Sequence, residues 1–504
     1  MDADQLKEDV RLGRIAPERL VELVEMQQRQ LQAVQSELEQ ARKRIEELER
    51  ELGRPMAPKL DQPFSVQAEE KRQEARGKKR REKKHRRRRG RISTAEKVAR
   101  AERTEKVFPQ GVAESDCRRS HTRPVWRLEN GRAVLVAYEV YRGPGNRYGQ
   151  VPGVLGRSEF GIEIVLAIAF QVFIVGLSFD KVCLLLNFFQ NLQLRKSQVD
   201  SLLKQLSRHW EREFDLLCML LAHSAVVHAD ETSWSIRSVW AFLSEQVRLL
   251  FFGVHKDADT LQQILDSAVF KGIVISDDAA VYANFTNSQK CWAHLLRKAI
   301  KLTLVAPENA EYRRFADRLL EIYREACRVQ RDRRLSPDGR ARKVAQLNDE
   351  VLELCWAMWT AELPPSAGPE NDYRLLCNEL MRLLLAEQLF TFVTAAAVKT
   401  PQGETAPVAG TNNEAERTLR SAAEARKTGR TSKTERGARR RTVIVSVLES
   451  LRPHLAAFTL NNVIEEVCGW LATGQSRFAA LLERLGLSAP EQSVLDALLP
   501  EPDG

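Results

Sequence analysis

The 504-residue chain has no CxxC pair, no long hydrophobic run and no signal-peptide pattern. Its eight cysteines, at 117, 183, 218, 291, 327, 355, 377 and 468, are scattered. That excludes a disulfide framework and suits a reducing cytoplasm. The most apolar run, 164–179, is sixteen residues long and includes Gln171. A membrane span needs about 20 apolar residues, so a buried helix is expected instead. Net positive charge is also missing from most of the chain. The net charge is +10, yet residues 71–91 hold fourteen Lys/Arg against two Glu, which leaves the remainder slightly acidic.

What is present begins with that basic block. Its density makes it self-repelling and unfolded when free, and its cations, Arg86, Arg87, Arg88 and Arg89 among them, suit a polyanion whose neutralised phosphates release counterions. Before it, apolar residues recur at 3–4 spacing through Leu20, Val24, Leu31, Val34, Leu38, Ala41, Ile45, Leu48 and Leu52. That pattern predicts a coiled coil and self-association. Pro55 and Pro58 end it.

Residues 124–142 alternate apolar and polar around Asn130-Gly131, a hairpin signal. Helices are expected over 180–189, capped by Ser178, and over 195–210; with their short turn they are compatible with a helix-turn-helix. The period then changes to strands at 225–229, 239–244 and 249–255, a helix at 260–268 and a fourth strand at 272–276. Helical patterns follow from Trp292, over 310–330, 340–361 and 372–398, and a Gly/Pro-bearing loop, 399–410, leads to another helix. This predicts an α/β chain: a ribonuclease H-like catalytic core with a large all-helical insertion, preceded by a coiled coil and a helical DNA-binding region. In that arrangement the first and fourth strands are neighbours. The expected divisions are 1–55 coiled coil, 56–105 basic linker, 106–160 hairpin region, 161–222 helical DNA-binding region, 223–300 and 399–455 the two parts of the core, 301–398 the insertion, and 456–504 a helical end.

Two acids end apolar strands: Asp230 after 225–229 and Asp277 after 272–276. A carboxylate there is costly unless a cation compensates it. Glu416 lies on the helix after the 399–410 loop. Such acids converging from rigid elements are what a two-magnesium phosphoryl-transfer site requires. Glu414 and Glu416 are roughly 200° apart around a helix. Thr411 and Glu414 fit a capping box, which leaves Glu416 for the metal, on a face with Asn412 and Arg420. Spacing leaves Asp277 and Asp278 as alternatives, and Glu231 as an alternative to Asp230. Cys291 and His294 form an isolated CxxH with no second pair, which reads as packing or support for the acids rather than a metal site. The cations of 417–441, including Arg417, Arg420, Arg426, Lys427 and Arg430, read as a grip on a nucleic-acid strand.

With the segments 228–232 (HADET), Ser276-Asp277 followed by Tyr282, 291–297 (CWAHLLR) and 412–420 (NNEAERTLR) with Arg426-Lys427 beyond, the chain resembles transposases of the insertion-sequence 66 family, part of the DDE group. The resemblance covers about 162–483. It implies that Asp230, Asp277 and Glu416 are the catalytic, metal-holding acids, with Glu231, His294, Asn412 and Asn413 supporting them. It implies two Mg²⁺ ions, replaceable by Mn²⁺, and DNA partners: transposon terminal inverted repeats and target DNA. Accessory transposition proteins and a bacterial cytoplasmic, nucleoid-associated location follow, with no membrane partner. Cys117 stands alone where many members carry a cysteine-rich module. Two other functions fit the same residues: a non-enzymatic DNA-binding protein derived from a transposase, or a nuclease or resolvase without strand transfer.

Overall fold

In the computed structural model the chain divides into two units, Met1–Arg91 and Ile92–Gly504. The structure describes residues 92–500, apart from 360–367, 396, 401, 402, 404 and 491, together with Gln32. The expected coiled coil and the basic block, with Arg86–Arg89, lie outside the described residues.

The Asn130-Gly131 signal produces a hairpin of β2 (Arg118–Glu129) and β3 (Arg132–Arg142), with β1 (Arg103–Val107) added parallel to β3. Asn130 and Gly131 have φ of 47° and 79°, the left-handed pair that lets a two-residue turn follow the strand twist. The hairpin starts six residues earlier than the alternation suggests. The apolar run 164–179 starts as the expected buried helix, α1 (Ile162–Ala169), and continues through a π-helical turn, Phe170–Ile174; Val172 and Phe173 are still buried there, while Phe170 and Val175 are exposed. No helix among the described residues is long and apolar enough to cross a membrane.

Next come α2 (Phe179–Gln190), with Ser178 accepting from the Lys181 amide, and α3 (Lys196–Ala222). The second is 27 residues long and does not stop near Trp210. Its buried stripe of Val199, Leu202, Leu206, Trp210, Phe214, Leu217 and Leu221 keeps helical spacing throughout, so nothing ends it earlier.

A five-stranded sheet has the order β6-β5-β4-β7-β8, from β4 (Val226–Ser233), β5 (Ser238–Leu243), β6 (Arg248–Val254), β7 (Ile273–Ser276) and β8 (Ser288–Lys290). The first three pair antiparallel, while β4–β7 and β7–β8 are parallel. The helix α4 (Ala258–Ile264) precedes β7. Alternation splits the shared strands between two cores. Val227, Ala229 and Val274 face the larger one with α1 and α3; Val226, Ile273 and Ile275 face the helical insertion.

That insertion holds α5 (Trp292–Val305), α6 (Ala310–Arg331), α7 (Pro337–Trp359) and α8 (Pro369–Leu385). The helix expected over 372–398 breaks at Leu385. Glu387 turns left-handed, at φ 58°, and residues 388–392 instead bond β8: the Lys290 amide donates to Gln388, and Gln289 bonds Leu389 and Phe392. The expected loop 399–410 contains half of a small antiparallel ribbon, Ala397–Lys399 with Thr405–Pro407, so the insertion is not wholly helical.

After α9 (Asn413–Lys427), α10 (Glu435–Leu451) covers the outer edge of β6. Amides of Arg248, Leu250 and Phe252 donate to the hydroxyls of Ser450, Ser446 and Thr442, each at 2.9 Å. Four helical residues advance about 6 Å and two strand residues about 6.8 Å, so hydroxyls at i, i+4 and i+8 match alternate amides. An open edge is thereby closed without another strand. Ser446→Ala leaves the Leu250 amide buried and unpaired, and should cost about 1–3 kcal/mol in chemical denaturation; a loss below about 0.5 kcal/mol, the range of a neutral surface change, refutes that role.

Candidate active site

The β4–β7 register pairs Val226 with Ile273 and His228 with Ile275. Two residues beyond that last pair come Asp230, still on β4, and Asp277, one residue past the end of β7, close enough for the charge of Asp277 to act on the Asp230 carboxyl. Asp230 does not end its strand as expected. The strand continues to Ser233 because β5 goes on pairing with it, while β7 stops at Ser276 and leaves that side open. Asp277 accepts the Ala279 amide at 3.1 Å, and Asp230 accepts the Glu231 amide at 2.9 Å. The neighbouring acids are occupied elsewhere. Asp278 pairs with Arg382 of α8. Glu231, on the opposite face of β4, is buried against Tyr282, whose hydroxyl donates to it at 2.6 Å, and Lys256, at 2.7 Å.

The helix α9 is attached through Asn412, which is fully buried. Its side-chain amide donates to the Ala229 carbonyl at 2.7 Å, its oxygen lies 3.2 Å from His228 Nδ1, and its backbone amide donates to Cys291 Sγ at 3.1 Å. The expected capping box is therefore not formed. Asn412, rather than Thr411, is the N-cap, and Glu414 reaches outward to Arg248 at 2.6 Å. The polar groups of Asn412 are thus all engaged inside the protein, and it does not share an open face with Glu416. Asn413 is exposed at the first helical position. Ala415 and Leu419 anchor the helix in the larger core, and Glu416 points to α5, 2.5 Å from Arg297 and 3.5 Å from His294 Nε2.

Charge is unevenly compensated here. Arg297 serves Glu416, Lys256 serves Glu231 and Arg382 serves Asp278, while Asp230 and Asp277 have no ion pair among the described residues. Burial, reinforced by the charges of Glu231, Asp277 and Glu416, raises the Asp230 carboxyl to about 7. Lys290, at the end of β8, is buried and bonds Ser276 Oγ at 3.2 Å; loss of solvent pulls its ammonium pKa down. Burial likewise lowers His228 and His294, the latter helped by Arg297. A cleft of about 560 Å³ opens beside Asp277, between Lys290, Cys291 and His294 on one side and Leu375, Glu379 and Arg382 of α8 on the other.

The cations of 417–441 do not form one uniform surface. Arg417, Arg420 and Lys427 are exposed and have no ion pair among the described residues. Arg426, also exposed, donates to the Ser233 carbonyl at 2.9 Å and Arg430 to that of Gly176 at 2.8 Å. Arg439 is buried with Glu211 and Asp496, Arg440 pairs with Asp200, and Arg441 lies among Phe173, Trp234 and Phe252. Those last three are therefore part of the packing rather than a strand grip, because α10 is a core helix. Sequence reasoning gave no role to Lys256, Lys290 or Arg297; of these only Arg297 lay within a recognisable motif.

Donors of this kind, hard oxygens without a resident counter-charge, fit a divalent cation such as Mg²⁺. Without one, folding must keep a proton on Asp230 that the unfolded chain releases near pH 4. Stability due to this group therefore falls as pH rises from about 4 to about 7, then levels off. Asp230→Asn removes that dependence. Thermal denaturation in EDTA should show the variant gaining on the wild type across this window; parallel curves would contradict the raised carboxyl.

No curated protein matches the chain. The family model described as "Transposase IS66 family" matches residues 157–440, more than half of the chain and all of the residues around the acids. The chain belongs to the IS66 transposase family.

Proposed function

We propose that the protein is a DDE transposase that cuts DNA at transposon ends and joins those ends to target DNA, using Asp230, Asp277 and Glu416 in a ribonuclease H-like core. One observation carries this reading: two acids with no ion pair among the described residues stand at neighbouring positions where the adjacent parallel strands β4 and β7 part, in a chain whose family is that of transposases. The sheet order β6-β5-β4-β7-β8, with three antiparallel strands followed by parallel ones, supports the core assignment.

Asp230 and Asp277 would hold Mg²⁺ or Mn²⁺ from rigid strands, with Glu416 joining from α9. A divalent ion so held supplies charge stabilisation at the phosphodiester and a more acidic attacking hydroxyl. The chain's own residues do the rest. Asn412 keeps α9 at a fixed height over β4. Glu231, paired with Lys256 and Tyr282, stiffens the strand behind Asp230. When Glu416 turns towards the acids, Arg297 is released and its exposed guanidinium can take a phosphate oxygen. Arg417, the next residue, and Arg420, one helical turn on, are exposed on α9 for the backbone of the bound strand. The apolar repeat of 20–52 would pair protomers, so that two ends can be held together, and the block 71–91 would add affinity of low sequence selectivity. Accessory proteins, if the system uses them, would act on this assembly.

Asp230→Asn, Asp277→Asn and Glu416→Gln should each lower Mg²⁺-dependent cleavage of end-bearing DNA by at least about 100-fold, with strand transfer from a pre-cut end lost in parallel. Wild-type cleavage in Asp230→Asn and Glu416→Gln would remove the assignment. Cleavage by the wild type without any joining of a pre-cut end would leave a nuclease, and neither activity a DNA-binding protein.

A further inference from the structure

The isolated Cys291-x-x-His294 acquires a third member only in the fold. Sγ of Cys291, a ring nitrogen of His294 and a carboxylate oxygen of Glu416 all lie within 4.8 Å of one another. Sulfur, imidazole and carboxylate together are a zinc-type donor set, whereas magnesium takes oxygen. Tetrahedral ligands about zinc stand roughly 3.5 Å apart, so small side-chain rotations close the gap.

The surroundings suit a metal thiolate. Cys291 is the N-cap of α5, and the Asn412 backbone amide donates to its sulfur at 3.1 Å, a donor of the kind that orients a thiolate, while burial pushes the free thiol up. His294 Nδ1 is buried with no hydrogen-bond partner among the described residues. Access exists as well: His294 and Glu416 are partly exposed, and the cleft beside Asp277 reaches both Cys291 and His294. At present Arg297 supplies the counter-charge to Glu416.

We infer that Cys291, His294 and Glu416 form a binding site for a thiophilic divalent cation of the zinc class, distinct from the Asp230–Asp277 centre but sharing Glu416 with it. Binding releases the thiol proton, forms the metal–sulfur bond and displaces Arg297 from Glu416; the fourth position stays open to water from the cleft. A carboxylate committed to this ion is withheld from Asp230 and Asp277. The site is therefore inhibitory, a consequence that rests on the proposed function, whereas binding of the ion does not.

The full-length reduced protein is titrated with Co²⁺, which reports a thiolate ligand through a near-ultraviolet charge-transfer band. The wild type should show one such site that Cys291→Ser removes and that Zn²⁺ displaces, while Asp230→Asn keeps it. His294→Gln, at a half-exposed position, should weaken Co²⁺ binding at least tenfold and stands in if Cys291→Ser misfolds. A wild type without the band, or a band unchanged by both substitutions, overturns the inference. The inhibitory part is read as the ratio of Mg²⁺-dependent DNA cleavage with and without added Zn²⁺. Zn²⁺ should depress it in the wild type, and at least tenfold more should be needed in Cys291→Ser; equal sensitivity overturns the competition. A protein that shows the band but never cleaves DNA refutes the proposed function and leaves the site standing.

Discussion

Asn412 sits where no water reaches it, so each of its polar groups must find a protein partner. It finds them on two other segments: the Ala229 carbonyl and His228 ring on β4, and the Cys291 sulfur at the start of α5. Those segments are 121 and more residues away in sequence. An unsatisfied amide in that place would cost several times what a surface contact contributes, so the three elements are held in one arrangement. The position of Glu416 one turn along α9, against α5, follows from it.

The same region concentrates negative charge. Every flanking acid has been given a cation or a hydroxyl, whereas Asp230 and Asp277 have not. Low solvent access makes this imbalance expensive, which is why the Asp230 carboxyl rises to about 7. A protein that only packed its core would gain from an amide at this position. Under the proposed function these carboxyls are ligands for a cation, which would approach by the cleft between the sheet and α8.

Around that centre, two devices stabilise the sheet. On one side, the hydroxyl stripe Thr442, Ser446 and Ser450 replaces a neighbouring strand for β6. On the other, the insertion packs its apolar helices on Val226, Ile273 and Ile275 and bonds the short strand β8 through residues 388–392. Both come from segments far along the chain, so the sheet is complete only once the C-terminal half has folded onto it.

Local pattern by itself determined the hairpin at Asn130-Gly131, the buried helix that opens the run 164–179 and the positions of the four strands β4 to β7, because alternation, helical spacing and turn residues act over a few neighbours. It also picked out Asp230, Asp277 and Glu416 as the acids to watch, though spacing alone left Asp278 and Glu231 open. Only the tertiary structure decided where those two go, to Arg382 and to Lys256 with Tyr282. It also overrode the capping box at Thr411 and Glu414, ended at Leu385 a helix whose pattern runs on to 398, and buried Arg439 and Arg441 within a basic block. Each of these outcomes depends on a partner on another element, in most cases about a hundred or more residues away, or on the burial of a helix face, and neither is written in the neighbouring residues.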